Sequence, residues 1–207
     1  MNYIERLGIR YPTLIECLSE IERATNIIVA MHRAGGKLLL CGNGGSAADC
    51  IHIVGELEKG FLSERPLSGS EQKRLIDAGV PAELAAKLQH GLCAIALPEQ
   101  SALSSALAND TDPKLVYAQS VLASARASDV FLGISTSGNS ENVILAAKTA
   151  SALHLPTIAL TGAAGGKLAD VCDVAICVPA NETYRVQEYH LPVYHALCAE
   201  VEKRLFG

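Results

Sequence analysis

Four polar side chains stand out because of the apolar company they keep: His52 and Glu56 in one stretch, Gln187 and His195 in another. His52 and Glu56 are spaced i, i+4, so a helix puts both on one face, amid Ile51, Ile53, Val54 and Leu57. Gln187 and His195 are roughly 80° apart around a helix axis and converge only at an angle. Glu188, His190 and Pro192 lie between them, and Pro192 removes one backbone donor. Two imidazoles, a carboxylate and an amide carbonyl form a donor set suited to zinc or another divalent ion. The same groups without metal would serve as acid and base. A satisfied buried histidine or a solvent-facing pair has the same spacing, so spacing alone does not choose.

Two loops of small residues offer the complementary chemistry. Val130 to Ile134 reads as a buried strand, followed by Ser135-Thr136-Ser137-Gly138-Asn139-Ser140 and a helix through Val143, Ile144 and Ala147. Unpaired N–H groups and the dipole at such a helix start favour an anion, and four hydroxyls add donors. Gly138 is expected to let the backbone approach a ligand, with phosphate as the expected occupant. A plain strand-to-helix turn with a Ser or Asn cap is the alternative. Gly42-Asn43-Gly44-Gly45-Ser46 lacks both the GxGxxG spacing and the Lys-Ser/Thr of a P-loop, which disfavours dinucleotides and nucleoside triphosphates. Asn43 and Ser46 could bond a sugar; a tight turn needing positive φ accounts for the same residues.

The elements that must position these groups alternate. Apolar runs at Lys37–Cys41, Leu92–Leu97, Val130–Ile134, Pro156–Leu160 and Val174–Val178 read as strands buried on both faces. Helices are expected over 12–34, over Ala47–Lys59, from Asn109-Asp110-Thr111-Asp112-Pro113 to about Ala127, and over Arg185–Leu205. The pattern predicts an α/β three-layer αβα sandwich around a five-stranded parallel sheet. Ligands in such sheets bind beyond the carboxyl ends of the strands, where both small-residue loops fall. Residues 1–207 are expected to form one domain, with 1–36 an N-terminal helical segment packed on the sheet's flank or on another subunit. Residues 66–90 break the rhythm and read as an inserted helical hairpin: Ser68 and Glu71 cap one helix, Gly79 marks the break, and Pro81–Gln89 forms another.

Hydrophobic residues make up 49% of the 207 and charged ones 19%, enough for a large core. A net charge of -5 and an aromatic content of 4% without Trp argue against nucleic acid. No apolar run reaches the roughly 18 residues of a membrane span, and the first residues do not form a signal peptide. Seven cysteines without a CxxC read as buried, reduced thiols of a cytoplasmic protein.

Together these stretches resemble the sugar isomerase (SIS) family, and within it the phosphoheptose isomerase branch. The resemblance rests on Gly42–Ser46, His52 and Glu56, Ser135–Ser140, Ala159–Gly162 with Gly165-Gly166-Lys167, and Arg185–Glu188 with His190 and His195. It covers nearly the whole chain apart from about 66–90, and it implies a flavodoxin-like sheet and a tetramer with sites at subunit interfaces. It implies that Ser135, Thr136, Ser137 and Ser140 hold a sugar phosphate while Asn43, Ser46 and Asp110 contact the sugar. Glu56 would be the base of an enediol isomerisation of sedoheptulose 7-phosphate, with His195 the partner acid. Gln187 would join His52, Glu56 and His195 around one zinc per subunit. A non-catalytic sugar-phosphate sensor or adaptor of the same fold is the alternative. The family often carries Arg after the first helix, where this chain reads Lys59-Gly60-Phe61, leaving Lys59 as the substitute cation.

Overall fold

The computed structural model describes all residues, 1–207. Strands β1 (Leu38–Cys41), β2 (Ala94–Ala96), β3 (Val130–Ser135), β4 (Thr157–Thr161) and β5 (Val174–Cys177) form one sheet. The order is β2-β1-β3-β4-β5 and all neighbours are parallel. This is the flavodoxin-like order, whose switch point lies between β1 and β3. The period-two alternation of strand side chains divides the core in two. Leu38, Leu40, Leu132, Ile158 and Ile176 point to one face, while Leu39, Cys41, Phe131 and Ala159 point to the other.

The helices sort accordingly. The first face is covered by α1 (Tyr3–Arg10), α2 (Leu18–Arg33), α3 (Gly45–Glu58) and, at the chain's end, α10 (Thr183–Phe206). The insertion holds α4 (Gly69–Asp77) and the single turn α5 (Ala82–Ala85), and α6 (Ser101–Asp110) follows β2. The second face is covered by α7 (Val116–Ser124), α8 (Glu141–Ala152) and α9 (Gly166–Val171). The three layers and the five strands are those expected. The N-terminal segment packs on the flank of its own chain's sheet through Ile4, Leu7, Leu14, Ile21 and Ile28.

Several local expectations need correction. Residues 12–34 are not one helix: Pro12–Cys17 is a 3-10 segment, and an unforeseen α1 precedes it. Asn2 and Glu5 form a capping box that starts α1. Tyr11 ends it at φ -128°, because the residue before a proline is pushed out of helical geometry. The same effect at Asp112, before Pro113, separates α6 from α7, so Asp110 ends one helix rather than opening the next. In the insertion, Ser68 and Glu71 cap α4 and Gly79 turns at φ +98°, as expected. The second helix stops after one turn because Gln89 leaves it to bridge Pro66. The turn at Gly162–Gly166 runs directly into α9. Pro192 does not end α10, which is 24 residues long and runs on to Phe206.

Gly138 has a different role from the one its sequence suggests. It lies at φ +65°, and a Cβ there would collide with the carbonyl of Gly165. The close approach is between two loops of the protein, sealed by the Leu168 N–H donating to the Gly138 carbonyl at 2.9 Å. Gly138→Ala is therefore expected to destabilise the fold by more than about 2 kcal/mol, through left-handed strain plus backbone collision. Urea unfolding of the variant against the unmodified chain measures it.

Candidate active site

The carboxyl ends of β1 and β3 deliver the two small-residue loops side by side. Gly44 takes φ +55° and ψ -121°, a conformation open to glycine alone, and this turn starts α3 two residues before the expected Ala47. The Asn43 amide donates to the Asn142 carbonyl oxygen and the Asn142 amide to that of Asn43, both at 2.9 Å. This reciprocal pair ties the β1 loop to the first turn of α8. The Tyr117 hydroxyl, buried on α7, donates to the Gly42 carbonyl at 2.7 Å. Ser46 is buried in the first turn of α3.

In the β3 loop, Ser135 is buried, Thr136 and Ser140 are half-buried, and Ser137 is exposed. The Ser135 and Ser140 hydroxyls lie 3.0 Å apart. Ser140 stands at the N-cap of α8 without making a capping bond, and Ser135 is the one partner of its hydroxyl. The N–H groups of Glu141 and Asn142 have no acceptor within the protein. A cradle of hydroxyls and unpaired N–H groups at a helix start suits a phosphate. Asp110, the last residue of α6, is exposed, and its carboxylate accepts from the neighbouring Asn109 amide at 2.7 Å.

Chemistry of a different kind gathers where α3 and α10 run alongside each other in the same direction. Contacts between them follow the same order along both helices. Gln187 lies against Gly45, Tyr194 against Asp49 and His52, and Glu202 against the residues just beyond α3. Donor atoms of His52, Glu56 and His195 fall within 4.8 Å of one another. His52 Nε2 lies 3.0 Å from Glu56 Oε1, and the His52 and His195 rings are 5.1 Å apart, nearly perpendicular. Glu56 Oε2 lies 3.8 Å from Lys59 Nζ, an exposed ammonium. Gln187 belongs to the amino-terminal end of this seam, next to the β1 loop.

These residues fit a divalent ion on chemical grounds. Tyr194 has one proton, and its hydroxyl lies 3.2 Å from the Asp49 carboxylate and 3.0 Å from His52 Nδ1. With that proton given to Asp49, His52 Nδ1–H donates to the tyrosine oxygen. In that tautomer the lone pair of His52 Nε2 faces Glu56, an arrangement that calls for a cation or a proton between them. His195 Nε2 is buried without any partner, as is Asp49 Oδ2. Burial first, then neighbouring His52, holds His195 below the usual histidine range, the Glu56 charge only partly opposing this. A neutral imidazole is the form that binds metal or donates a single proton.

Sequence reading missed Tyr194 and Asp49, although Asp49 precedes His52 by three residues and Tyr194 adjoins His195. His190 is fully buried with neither ring nitrogen hydrogen-bonded. Of the cysteines, all free, Cys93 is exposed rather than buried.

An open αβα sheet with a hydroxyl-lined cradle at its switch point and an acid–base cluster beside it defines a class of sugar-phosphate-binding proteins. The chain belongs to the SIS domain family, whose model matches residues 12–73 and 82–162; its gap is 74–81 alone, shorter than the 66–90 expected to lie outside the family pattern. It is similar to the phosphoheptose isomerase of Roseiflexus sp. strain RS-1, 41% identical over 179 residues, covering 86% of this chain and 79% of that one. Among solved structures it resembles a phosphoheptose isomerase from Neisseria gonorrhoeae, with TM-score 0.70 and 33% identity over 96% of this chain and 98% of the other. One from Francisella tularensis has TM-score 0.74 and 27% identity over 98% of this chain and 100% of the other.

Two outcomes follow from this geometry. Tyr194→Phe breaks the chain from Asp49 to His52 and is expected to weaken the binding of an added divalent ion such as zinc about tenfold or more, read by competition with a chelator. His190 carries a separate signature, because burial lowers its pKa to about 4 and the nearby Thr161 carbonyl only partly offsets this. Between pH about 4 and 6.5 the unfolded chain therefore binds the extra proton, so stability rises with pH across that window. The contribution is about 3 kcal/mol, and His190→Leu should remove that much of the slope in urea unfolding.

Proposed function

We propose that this protein is an aldose–ketose isomerase that converts sedoheptulose 7-phosphate into D-glycero-D-manno-heptose 7-phosphate through an enediol. The observation that carries the reading is the convergence of His52, Glu56 and His195 from two helices, beside a phosphate-type loop. Its similarity to phosphoheptose isomerases along nearly the full chain points to the same substrate.

In this reading Ser135, Thr136, Ser137 and Ser140 hold the phosphate, aided by the first N–H groups of α8. Asn43, Ser46, Asp110 and Gln187 bind the sugar hydroxyls, with Asn43 held in place by Asn142 and Tyr117. Glu56 takes a proton from C1 of the ketose and returns it to C2. His195 donates to O2 and recovers the proton from O1, so the reaction needs no external oxidant or reductant. A neutral His195, held so by burial, is suited to that exchange at neutral pH. His52, Glu56, Gln187 and His195 would hold one zinc ion, which when bound supplies polarisation of the substrate oxygens. Glu56 can serve both roles because its two oxygens face different partners, His52 and Lys59. Lys59 would stand in for the family arginine at the mouth of the site.

Residues 1–207 form one SIS domain in this proposal, with 1–36 as its N-terminal segment and 66–90 inserted. A cytoplasmic homotetramer fits the free cysteines and the exposed Ile9 and Ile15 of the N-terminal segment, which are 67% and 64% accessible. No helix is long and apolar enough to cross a membrane. A sensor or adaptor would have no use for the His52, Glu56 and His195 cluster.

Incubation with sedoheptulose 7-phosphate and shorter ketose phosphates, with and without zinc, should yield aldose from the seven-carbon substrate. Glu56→Gln and His195→Ala are expected to lower kcat at least about a hundredfold with little change in KM. Ser135→Ala should instead raise KM, because the phosphate is held alike in substrate and transition state. No turnover of any ketose phosphate would overturn the reading.

A further inference from the structure

We propose that Arg65, Glu202 and Gln89 form a positioning clamp that fixes the carboxyl end of α3 against α10, making the end of the 66–90 segment part of the catalytic apparatus. The proposal rests on the isomerase reading above.

The clamp is built around a buried carboxylate. Glu202 follows His195 by seven residues, two turns along the same face of α10. Both it and Arg65 have side chains only 1% accessible. Its oxygens accept from the N–H groups of Phe61 and Leu62 at 2.8 Å and of Ser63 at 3.1 Å, and from Arg65 Nε at 2.9 Å. A buried carboxylate with four donors is fully satisfied, unlike an isolated one. Burial alone would raise the Glu202 pKa, but these donors outweigh it and hold the group below the usual range.

Arg65 also reaches the catalytic helix. Nη1 donates to the Leu57 carbonyl at 2.7 Å, while Nη2, paired with Glu202 Oε1 at 2.8 Å, makes a longer contact of 3.4 Å with the Glu56 carbonyl. A cation at the last carbonyls of a helix is favourably placed, and here one of them belongs to the proposed base. The guanidinium also stacks 4.7 Å over the Phe206 ring at the end of α10.

The third side comes from the insertion. Gln89 Oε1 accepts from the N–H groups of Gly60 and Arg65, both at 3.1 Å, and the His90 N–H donates to the Arg65 carbonyl at 2.8 Å. The loop from Gly60 to Arg65 is thus held by α10 on one side and by the insertion on the other. Its one aromatic residue, Phe61, rests 5.6 Å from the His195 ring. Phe61 and Leu62 also wall a cleft of about 420 Å³ that reaches His195 from α1. Releasing the loop would move Phe61 from His195 and loosen the spacing of Glu56 and His195, a spacing on which proton transfer depends steeply.

Arg65→Met or Glu202→Gln would strand a buried charge and could simply unfold the chain. Gln89→Leu is the informative change: it keeps the volume, removes only the acceptor and leaves the charge pair intact. It is expected to lower kcat about tenfold or more with KM within about twofold, and to weaken zinc binding about tenfold, read by chelator competition. Gln89→Glu keeps an acceptor oxygen and should restore both. Val121→Ala, a cavity in the opposite core, serves as the stability control and should leave kcat unchanged. Unchanged kcat and zinc affinity in Gln89→Leu would overturn the clamp. So would losses in all three variants that merely track stability. Failure of the isomerase reading itself shows differently, as no turnover by the unmodified chain, in which case the zinc affinities alone decide the clamp.

Discussion

The chemistry of this protein depends on one packing arrangement: α3 and α10 lie side by side, in the same direction, on one face of the sheet. A histidine and a glutamate one turn apart on α3 carry no function by themselves. They acquire it because α10 presents His195 at the same height, with Tyr194 beside it to bind His52. The alignment is set at both ends, by Gln187 against Gly45 and by Glu202 against the loop after α3. Shifting one helix by a turn, about 5.4 Å, would separate every pair at once.

The seam is also where the protein leaves polar groups unsatisfied. Buried side-chain atoms without a hydrogen bond occur at Asp49, His190 and His195 alone. Elsewhere the buried polar groups are fully engaged, as in Asp129, which accepts from the Lys37 and Arg126 N–H groups, or Thr157 with Asp173. Buried polar groups without partners are costly, so a fold that satisfies the rest and spares two at one cluster keeps capacity there for a ligand. His190 is the exception, since it lies away from the cluster and its burial keeps it neutral without assigning it chemistry.

The sequence was most legible where physical signals are local and strong. Five apolar runs, two small-residue loops and the capped insertion could be read because period, punctuation and capping are properties of neighbours. Pro12 and Pro113 were legible as helix starts, but α1 and α6, the helices that end just before them, were not foreseen. What could not be read were pairings across the fold. Glu202 sits 137 residues from Arg65, and nothing near either marks the pair. Tyr194 and Asp49 are 145 residues apart and became visible only once α10 was laid on α3. Gly138 looked like a place for a ligand to approach, whereas its space is taken by Gly165, a contact set by how the two loops dock.

The proposed division of labour between loop and seam separates binding from rate acceleration. A phosphate held at the start of α8 contributes equally to ketose, enediol and aldose, so it can raise affinity but cannot lower the barrier between them. Any protein that needs only to recognise a sugar phosphate can stop at that loop. Rate acceleration requires groups whose interaction changes as C1 and C2 exchange a proton, and those groups must be held within fractions of an ångström. In this chain the ordered structure goes well beyond the three side chains proposed to react. Asp49 and Tyr194 orient His52, Phe61 borders His195, and Arg65 binds the carbonyl of Glu56 itself. Side chains that touch no substrate and serve to fix those that do are of no value to a sensor. Their presence around His52, Glu56 and His195 is the physical argument that the seam is built for turnover.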